Sequence, residues 1–472
     1  MNVATSLIWR IMQQYSVYAV KIVVQMVLAR LLAPAEFGLI ATVSVFTSIS
    51  EILAISGLGT ALVQKHNSDE KDYSTVLTTS LAFSLLIYCI IFFVSPLISR
   101  YYENQSLVSI LRVYSLAVFI QSYLALINAY VQKKFLFKKS FIGNFVSTII
   151  AGAISIFLAY QGFGVWTLVL YGLLSPFLSI ICTQFLVHWH PPIGFSFERF
   201  KALFSFSWKV LASNLIGSLL ENIYNLTIGK YYGSTTLGYY KQGNTYPDAI
   251  LGQTRTAFGA VILPVYSSLQ NDIKKLQLAI ERMTHIITAL IFPMAFGLAA
   301  IAESFIVFFL TDKWVPAVFF LRLECVFYGT LPITTSLGYG IMAIGRSDIS
   351  VKIELSKLIA TMLCVILFHG YGVEFLCIAR VVIAVLFIFV SAYLAHRIIG
   401  LSLYKILLSI LKPLILSAVM GGVVYSVSFL ELECGLILFI QIVVGLSIYG
   451  LGSFLFMRED LIYFKNLIIR KD

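Results

Sequence analysis

The sequence predicts an all-α integral membrane protein with about fourteen transmembrane helices. Of its 472 residues, 59% are hydrophobic and only 12% are charged, and the mean hydropathy is +0.92. Fourteen apolar stretches follow one another almost end to end, each close to the ~20 residues that a helix needs to cross a bilayer. Their length excludes a membrane β-barrel, because barrel strands need about ten residues of alternating pattern.

Short gaps separate the predicted spans. Gaps such as 161–164 and 369–372 contain glycines in tight, turn-like sequences. The predicted spans cover residues 7–31, 37–56, 76–99, 107–131, 141–160, 165–187, 206–229, 245–269, 284–310, 316–343, 353–369, 372–396, 411–429 and 435–456.

Lysine and arginine concentrate in alternate gaps. The gap after the fourth span carries Lys133, Lys134, Lys138 and Lys139, whereas the gaps after the fifth, eleventh and thirteenth spans carry none. Because basic loops stay on the cytoplasmic side of bacterial membranes, even-numbered gaps and both termini are predicted to be cytoplasmic. Topology then explains the net charge of +11. The basic residues are dispersed among loops, so we expect membrane lipids and no nucleic acid as partners.

No catalytic or metal-binding motif occurs in the sequence. Six cysteines are scattered without a C-x-x-C pair, and six histidines form no ligand cluster. A Walker A sequence and a dinucleotide fingerprint are both missing. We therefore expect a transporter rather than an enzyme or ATP-driven pump, with no metal site and no cofactor besides a coupling proton or sodium ion. Charges such as Lys21 in the first span also exclude a cleavable signal peptide.

An internal repeat divides the chain. The motif S-x-x-W-R at 6–10 reappears as S-x-x-W-K at 205–209, and after a one-residue slip Gly38 faces Gly238 at an offset of 200. Six spans separate the two starts, so both halves have the same orientation, as in transporters with parallel repeats. The alternative is a chance similarity of two amphipathic helices. The predicted parts are an N-terminal lobe over 1–200, a C-terminal lobe over 201–400, and two extra helices with a cytoplasmic tail over 401–472.

Polar stripes follow spans one, two, seven and eight. Their spacing places the side chains of each stripe on one helix face. The stripes consist of Arg10, Gln14, Tyr18, Lys21 and Gln25; Ser44, Ser48 and Glu51; Asn214, Ser218, Glu221 and Asn225; and Asp248, Gly252, Arg255 and Gly259. A charge at mid-bilayer costs at least ~2.5–3.5 kcal/mol on insertion scales, so the stripes predict a water-filled cavity between the lobes. Salt bridges between the charged members of the stripes are the alternative interpretation.

Two further features concern mobility and isolated charges. Pro247 and Pro264 bracket span eight, and proline removes a helix hydrogen bond and kinks the helix. Span eight is therefore predicted to bend. Arg322 and Arg380 are isolated in spans ten and twelve, and we predict a structural role for both.

Several segments have a characteristic order and spacing. They are A-R-L-L-A-P-A-E-F-G at 29–38, G-L-G-T-A-L-V-Q at 57–64, G-K-Y-Y-G at 229–233 with L-G-Y-Y at 237–240, and P-V-Y-S-S-L-Q at 264–270. With them, the chain resembles the Wzx-type polysaccharide flippases, the polysaccharide transporter branch of the multidrug/oligosaccharidyl-lipid/polysaccharide exporter superfamily. The resemblance covers nearly the whole chain, about residues 1–460.

The resemblance implies a fourteen-helix protein of the bacterial inner membrane whose two lobes alternate around a cationic cavity. Such proteins move undecaprenyl-diphosphate-linked oligosaccharides from the cytoplasmic to the periplasmic leaflet, for O-antigen, capsule or exopolysaccharide. A polysaccharide polymerase and a chain-length regulator are implied as partners. In related peptidoglycan-precursor flippases, basic residues on helices one, two and eight are important. Lys21 and Arg255 occupy comparable places here, whereas span two offers the acidic Glu51.

These observations give a hypothesis for the site. We expect Lys21 and Arg255 to neutralise the diphosphate, because charge-assisted contacts are strong. The other candidates are Gln14, Gln25, Asn214 and Asn225 for the sugars, and Glu51, Glu221 and Asp248 for coupling or gating. Two alternatives stay open. A multidrug antiporter of the same superfamily favours an acidic cavity. A membrane glycosyltransferase or ligase needs a catalytic domain, for which the longest periplasmic gap, 230–244, is too short.

Overall fold

The computed structural model describes residues 3–55, 57–65, 68–191 and 193–456. Within these ranges the chain is helical and has no strand. The helices are α1 (Val3–Leu31), α2 (Pro34–Ile55), α3 (Leu58–Gln64), α4 (Glu70–Tyr101), α5 (Ser106–Tyr114), α6 (Ala117–Lys133), α7 (Phe137–Tyr160), α8 (Val165–Val187), α9 (Phe197–Tyr231), α10 (Gly233–Pro247), α11 (Gln253–Ser268), α12 (Ile273–Ala300), α13 (Ala302–Leu310), α14 (Ala317–Ala343), α15 (Ser347–Phe368), α16 (Val373–Ile399), α17 (Leu403–Ser426) and α18 (Cys434–Phe456). A π-helical turn, Asp248–Gly252, joins α10 to α11.

The all-α membrane fold is confirmed. Ten described helical segments are long and apolar enough to cross a bilayer, or eleven if α9 counts, which bends by 55° between Phe197–Ser205 and Val210–Tyr231. The three other predicted spans correspond to α1, to α10 with α11, and to α15. These carry more polar residues near their centres. Each of the fourteen predicted spans thus coincides with one described helix or with two consecutive ones.

Some boundaries differ from the prediction. The supposed gap 230–244 is largely helical, because α10 already begins at Gly233. Its composition is polar, so no apolar pattern marks it, yet Leu237 and Tyr240 are buried. The predicted spans four and nine are each broken into two helices, and the short α3 was not predicted. The tail from residue 457 lies outside the described residues, so its predicted cytoplasmic position stays a prediction.

Local sequence explains several helix ends. Asp69 caps α4, where its side chain and that of Asp72 each accept a hydrogen bond from the other residue's backbone, an arrangement known as a capping box. Asp272 caps α12 and Ser402 caps α17 with a single hydrogen bond each, in which the side chain accepts from a backbone N–H of the first turn. Gly400 ends α16 with a φ of +75°, a left-handed conformation that glycine adopts without strain.

The chain forms two compact units, Met1–Gly238 and Tyr239–Asp472. In the first unit, α7 packs between α1 and α8, and α9 packs against α2, α3 and α4. In the second unit, α12 packs against α14 and α17, and α14 packs against α16. The boundary between the units lies within α10, after Gly238, whereas the repeat predicts a lobe boundary at residue 200. The lobes at 1–200 and 201–400 stay a prediction.

Small residues set the close helix packing of the first unit. A Cβ atom on Gly143 of α7 would lie 2.5 Å from the hydroxyl oxygen of Thr183 on α8, and one on Gly152 would lie 2.4 Å from Val24 of α1. Close backbone approach at small residues is the usual way in which membrane helices pack. It fixes α1, which carries Lys21 and Gln25, against α7.

Candidate functional site

The predicted site residues of the first unit lie on α1, α2 and α9. Lys21 and Glu221 are exposed, and neither forms an ion pair or hydrogen bond with another described residue. They therefore do not pair with each other. Gln25 is half-buried and has interaction partners, whereas the side chain of Gln14 lies outside the described residues. Val23, expected on the apolar face of α1, is 59% exposed, as suits a side chain that faces lipid.

An amide ladder runs along α9. Asn225 donates from Nδ2 to Oδ1 of Asn222 at 3.1 Å, and Asn222 donates to the carbonyl oxygen of Ser218 at 3.0 Å. Asn225 is buried, and its Oδ1 accepts no hydrogen bond in the described part of the chain. Asn214, one turn before Ser218, is exposed. Asn222 is not among the predicted site residues, although its i+4 spacing from Ser218 places the two side chains on one helix face.

Of the three polar residues in the stripe on α2, only the carboxylate of Glu51 is not hydrogen-bonded to a described residue. Ser44 donates to the carbonyl oxygen of Ala41 at 2.8 Å and Ser48 to that of Val45 at 2.9 Å, so both hydroxyls are satisfied by their own helix. Glu51 is half-buried and makes no hydrogen bond or ion pair with a described residue. It is the one acidic group on the described span of α2 after the first turn.

The predicted bend in span eight coincides with the π-helical turn. This turn, Asp248–Gly252, follows Pro247 directly. Pro247 offers no backbone N–H, and single π turns inside α-helices are frequent at functional sites. The hydroxyl of Tyr328 donates to Oδ1 of Asp248 at 3.0 Å. That oxygen also lies 2.5 Å from where a Cβ atom on Gly252 would be, so a larger residue there would have to displace the Asp248 side chain.

Arg255 lies less than one turn beyond the π turn. It is half-buried, and its buried Nε has no hydrogen-bond partner in the described residues. No described carboxylate of the second unit forms an ion pair with it. A buried N–H without an acceptor is costly, so Arg255 stays a candidate for binding an anion or water.

A polar network that the sequence analysis missed lies inside the second unit. Glu324 of α14 is buried and pairs with Arg380 of α16. Asn244 donates to its other oxygen at 3.0 Å, and Arg380 also donates to the hydroxyl of Tyr240. The guanidinium carbon lies 3.9 Å from the ring centre of Phe327. Arg380 is therefore not isolated, and its predicted structural role is supported by these contacts.

Arg322 likewise has partners. It donates from Nε to the carbonyl oxygen of Ala299 at 3.3 Å, lies 3.8 Å from Glu303, and stands 5.4 Å from the ring of Tyr425. These contacts tie α14 to the neighbouring ends of α12, α13 and α17 in the second unit.

An ionic cluster ties α4 to α9 in the first unit. Asp72 is completely buried and pairs with Lys65 at 2.7 Å and with Arg199 at 3.0 Å. Arg199 also donates a hydrogen bond to the exposed Asp69, which holds the pKa of that carboxyl below its usual range. The hydroxyl of Thr78 donates to the carbonyl oxygen of Gly194 at 2.8 Å. The linker before α9 is thus fixed to the start of α4.

No group of three or more His, Cys, Asp or Glu side chains that could hold a metal ion occurs in the part of the chain that the structure describes.

Comparison with known proteins gives a consistent picture. A family model described as "Polysaccharide biosynthesis protein" matches residues 27–319. The succinoglycan biosynthesis transport protein ExoT of Rhizobium meliloti is 24% identical, over 75% of this chain and 72% of that protein. The teichuronic acid biosynthesis protein TuaB of Bacillus subtilis is 24% identical, over 81% of this chain and 80% of that one. The lipopolysaccharide biosynthesis protein WzxC of Escherichia coli is 21% identical, over 74% and 71%.

The fold is also found among solved structures, including the following two. The lipid II flippase MurJ in an inward closed conformation superposes with a TM-score of 0.75 at 15% identity, covering 96% of this chain and 98% of MurJ. An inward-facing multidrug resistance transporter of the MATE family, from the MOP superfamily, gives a TM-score of 0.63 at 14% identity, covering 85% and 98%.

Proposed function

Because the chain belongs to the family of polysaccharide biosynthesis proteins, we propose that it is a flippase for undecaprenyl-diphosphate-linked oligosaccharides. It carries each unit from the cytoplasmic to the periplasmic leaflet of the bacterial inner membrane. The observation that carries this proposal is the family match over 27–319, which includes spans of both predicted lobes. The fold shared with MurJ, a lipid II flippase, supports it.

The relatives support recognition of a common group rather than of one sugar. Their names refer to succinoglycan, teichuronic acid and lipopolysaccharide. The diphosphate is the common group that we assign to Lys21 and Arg255. Both cations lack an anionic partner among the described residues of their own unit, so neither has to give up a salt bridge in order to bind phosphate.

The remaining polar residues complete the proposed mechanism. Gln14, Gln25, Asn214 and Asn225 replace water around the sugars, and the lipid tail stays in the bilayer. Asn225 supports this role because its buried Oδ1 accepts no hydrogen bond from the described residues. Glu51, Glu221 or Asp248 takes up a proton or a sodium ion that resets the transporter. Of these, Asp248 already accepts a hydrogen bond from Tyr328, so its uptake of a cation would alter the π turn.

Orientation and partners follow from the same proposal. The alternation of basic gaps places even-numbered gaps and both termini in the cytoplasm. The oligosaccharide is then released on the side where a polysaccharide polymerase and a chain-length regulator use it.

The test is transport by the purified protein in liposomes. A fluorescent undecaprenyl-diphosphate oligosaccharide in the outer leaflet should move to the inner leaflet at a rate that depends on the protein. Quenching with a membrane-impermeant reagent measures the fraction still outside. The matched control is Arg346→Ala, because Arg346 forms only an exposed pair with Asp348. Equal rates in protein-free and protein-containing liposomes reject the proposal.

A multidrug antiporter is the second candidate. It is favoured by the fold shared with a MATE transporter and by Glu51 and Glu221, which have no ion-pair or hydrogen-bond partner in the described part of the chain. The same liposomes distinguish it, since an antiporter moves a cationic dye against a proton or sodium gradient and leaves the lipid-linked sugar in place. A glycosyltransferase or ligase would instead change the mass of the lipid-linked product.

A further inference from the structure

Near their N-terminal ends, α2 and α10 cross with their backbones so close together that only glycine fits at the contact. A Cβ atom on Gly38 would lie 1.7 Å from the carbonyl oxygen of Ser234, and one on Gly238 would lie 2.0 Å from the carbonyl oxygen of Pro34. Real Cβ atoms essentially never approach another atom within 3.0 Å. Neither glycine has a positive φ. The requirement therefore comes from the contact of two backbones and not from the conformation of a turn.

The contact is reciprocal within the internal repeat. Position 34 corresponds to 234 and position 38 to 238, both at the offset of 200. Gly38 therefore packs on the equivalent of Pro34, and Gly238 packs on Pro34 itself. A twofold axis gives this pattern: if one residue contacts a second, the equivalent of the first contacts the equivalent of the second. An accidental approach of two helix ends would not show it.

The crossing is dry and continues along α2. Leu32, Phe37 and Leu237 are at most 5% exposed. One turn further, the hydroxyl of Thr42 lies 3.1 Å from where a Cβ atom on Gly229 of α9 would be. A side chain at position 42 is therefore covered as long as the helices stay in contact, and Thr42 is 3% exposed.

A second set of contacts surrounds the crossing. Lys230, near the end of α9, forms an ion pair with Glu103 at 3.0 Å and lies 4.8 Å from the ring centre of Tyr101. The hydroxyl of Tyr102 donates to the carbonyl oxygen of Leu226 at 3.3 Å. The exposed position of Glu103, 82% accessible, places this pair at the rim, where it can separate into water.

We propose that Gly38 and Gly238 form a latch that closes the periplasmic side of the transporter and parts in every transport cycle. This proposal rests on the proposed function, which supplies the transport cycle. It also uses the predicted orientation, in which the turns after spans one and seven lie in the periplasm. Its contacts are glycine Cα–H groups against carbonyl oxygens, which are weak hydrogen bonds. Parting them leaves no buried charge unpaired, so the contact is tight when closed and still reversible.

The test uses labelling of a cysteine behind the latch. Thr42→Cys is introduced into a protein lacking the six native cysteines, and intact cells are treated with a membrane-impermeant maleimide. Gly38→Ala or Gly238→Ala forces the helices apart by roughly 1.5 Å, since C···O contacts settle near 3.3 Å. Labelling of Thr42→Cys should then rise several-fold. The matched control is Gly338→Ala, where an added Cβ meets nothing within 4 Å.

The outcomes are separable. Labelling that stays at the control level in both folded glycine variants overturns the latch. If the glycine variants do not accumulate, Thr42→Cys alone decides. A latch that parts in each cycle allows slow labelling to completion in growing cells, whereas a permanently closed contact leaves the cysteine unlabelled. If glycine variants are labelled but the liposomes show no lipid transport, the latch stands and the proposed function fails.

Discussion

Lys21 and Arg255 differ from the other span cations in what surrounds them. Arg380 is neutralised by Glu324 and enclosed by Tyr240 and Phe327. Lys21 is exposed on α1, and the Nε of Arg255 is buried without an acceptor in the described residues. A cation that already has a buried partner stabilises the fold, whereas one without a partner is available to an anionic ligand.

Removal of either free cation should abolish surface polysaccharide while the protein level stays near normal. A lost charge-assisted contact to diphosphate weakens binding by about 1.5–3 kcal/mol, or roughly 10–100-fold. Lys21→Ala and Arg255→Ala are compared by polysaccharide on the cell surface and by immunoblot, and Lys21→Arg and Arg255→Lys should keep part of the activity. Wild-type polysaccharide in Lys21→Ala/Glu221→Ala or Arg255→Ala/Glu51→Ala would refute the diphosphate role of that cation.

Arg380→Met should destabilise the protein without a specific effect on the substrate. It leaves Glu324 buried and without its charge partner, which costs about 3–5 kcal/mol. Thermal unfolding in detergent should shift to clearly lower temperature. The double variant Arg380→Met/Glu324→Leu should regain much of the loss, because no buried charge remains. Arg346→Ala serves as the control, since its pair with Asp348 is exposed and such pairs contribute little. An unchanged unfolding temperature in Arg380→Met would contradict this account.

At the scale of helices, apolar length predicted the elements well, and polar helices were the difficulty. Span eight was predicted from 245 because α10 has a polar composition, yet helix geometry continues back to Gly233. Its burial depends on the contact with α2, which no local pattern reveals. The bend was predicted from Pro247, but its form as a π turn held by Asp248 and Tyr328 depends on tertiary contacts.

Gly252→Ala should disturb the π turn. The added Cβ would lie 2.5 Å from Oδ1 of Asp248 and 3.2 Å from the ring of Tyr328. The hydrogen bond between these two side chains must then break or shift, at a strain of about 1–3 kcal/mol. We expect a lower unfolding temperature and slower transport in liposomes. Asp248→Ala in the same chain removes the obstructing oxygen and should restore part of the stability. Additive effects of the two changes would rule out this contact as the cause.

Thiol labelling tests the polar stripes directly. Single cysteines at Lys21, Asn214 and Glu221 should react with a small water-soluble reagent, because a water-filled cavity hydrates them. Cysteines at Val23 and Ile223 should stay unreactive in the membrane. Val23 is exposed on the protein surface, so only the surrounding lipid can shield a cysteine there from the reagent. The same cysteine labelled in detergent solution, without the lipid bilayer, provides the comparison. Arg255→Cys extends the test to span eight. Gln14→Cys extends it to a position on span one whose side chain lies outside the described residues. Equal labelling of both sets would remove the argument for a cavity.

At the scale of the whole molecule, hydropathy and charge predicted the fold class, and the family resemblance was confirmed by the match over 27–319. The site was less accessible to sequence reasoning. Glu324 could not be found from its own helix because its partners Asn244 and Arg380 come from other helices. Asn222 lies beside the predicted stripe, although it is hydrogen-bonded to two of its members, Ser218 and Asn225. Gly38 and Gly238 are equivalent at the offset of the repeat, but their contact arises from the tertiary structure and leaves no local pattern in the sequence.

The orientation of the whole chain is the final prediction. Reporter fusions after Lys139, Lys275 and Arg346 should be active in the cytoplasm, and fusions after Gln161 and Tyr371 in the periplasm. The reason is that translocating a lysine cluster is unfavourable, so the densest cluster determines the side. Paired reporters, one active only in each compartment, measure both signs at every site. A periplasmic signal after Lys139 would reverse the orientation, and with it the direction of transport and the side on which the glycine latch closes.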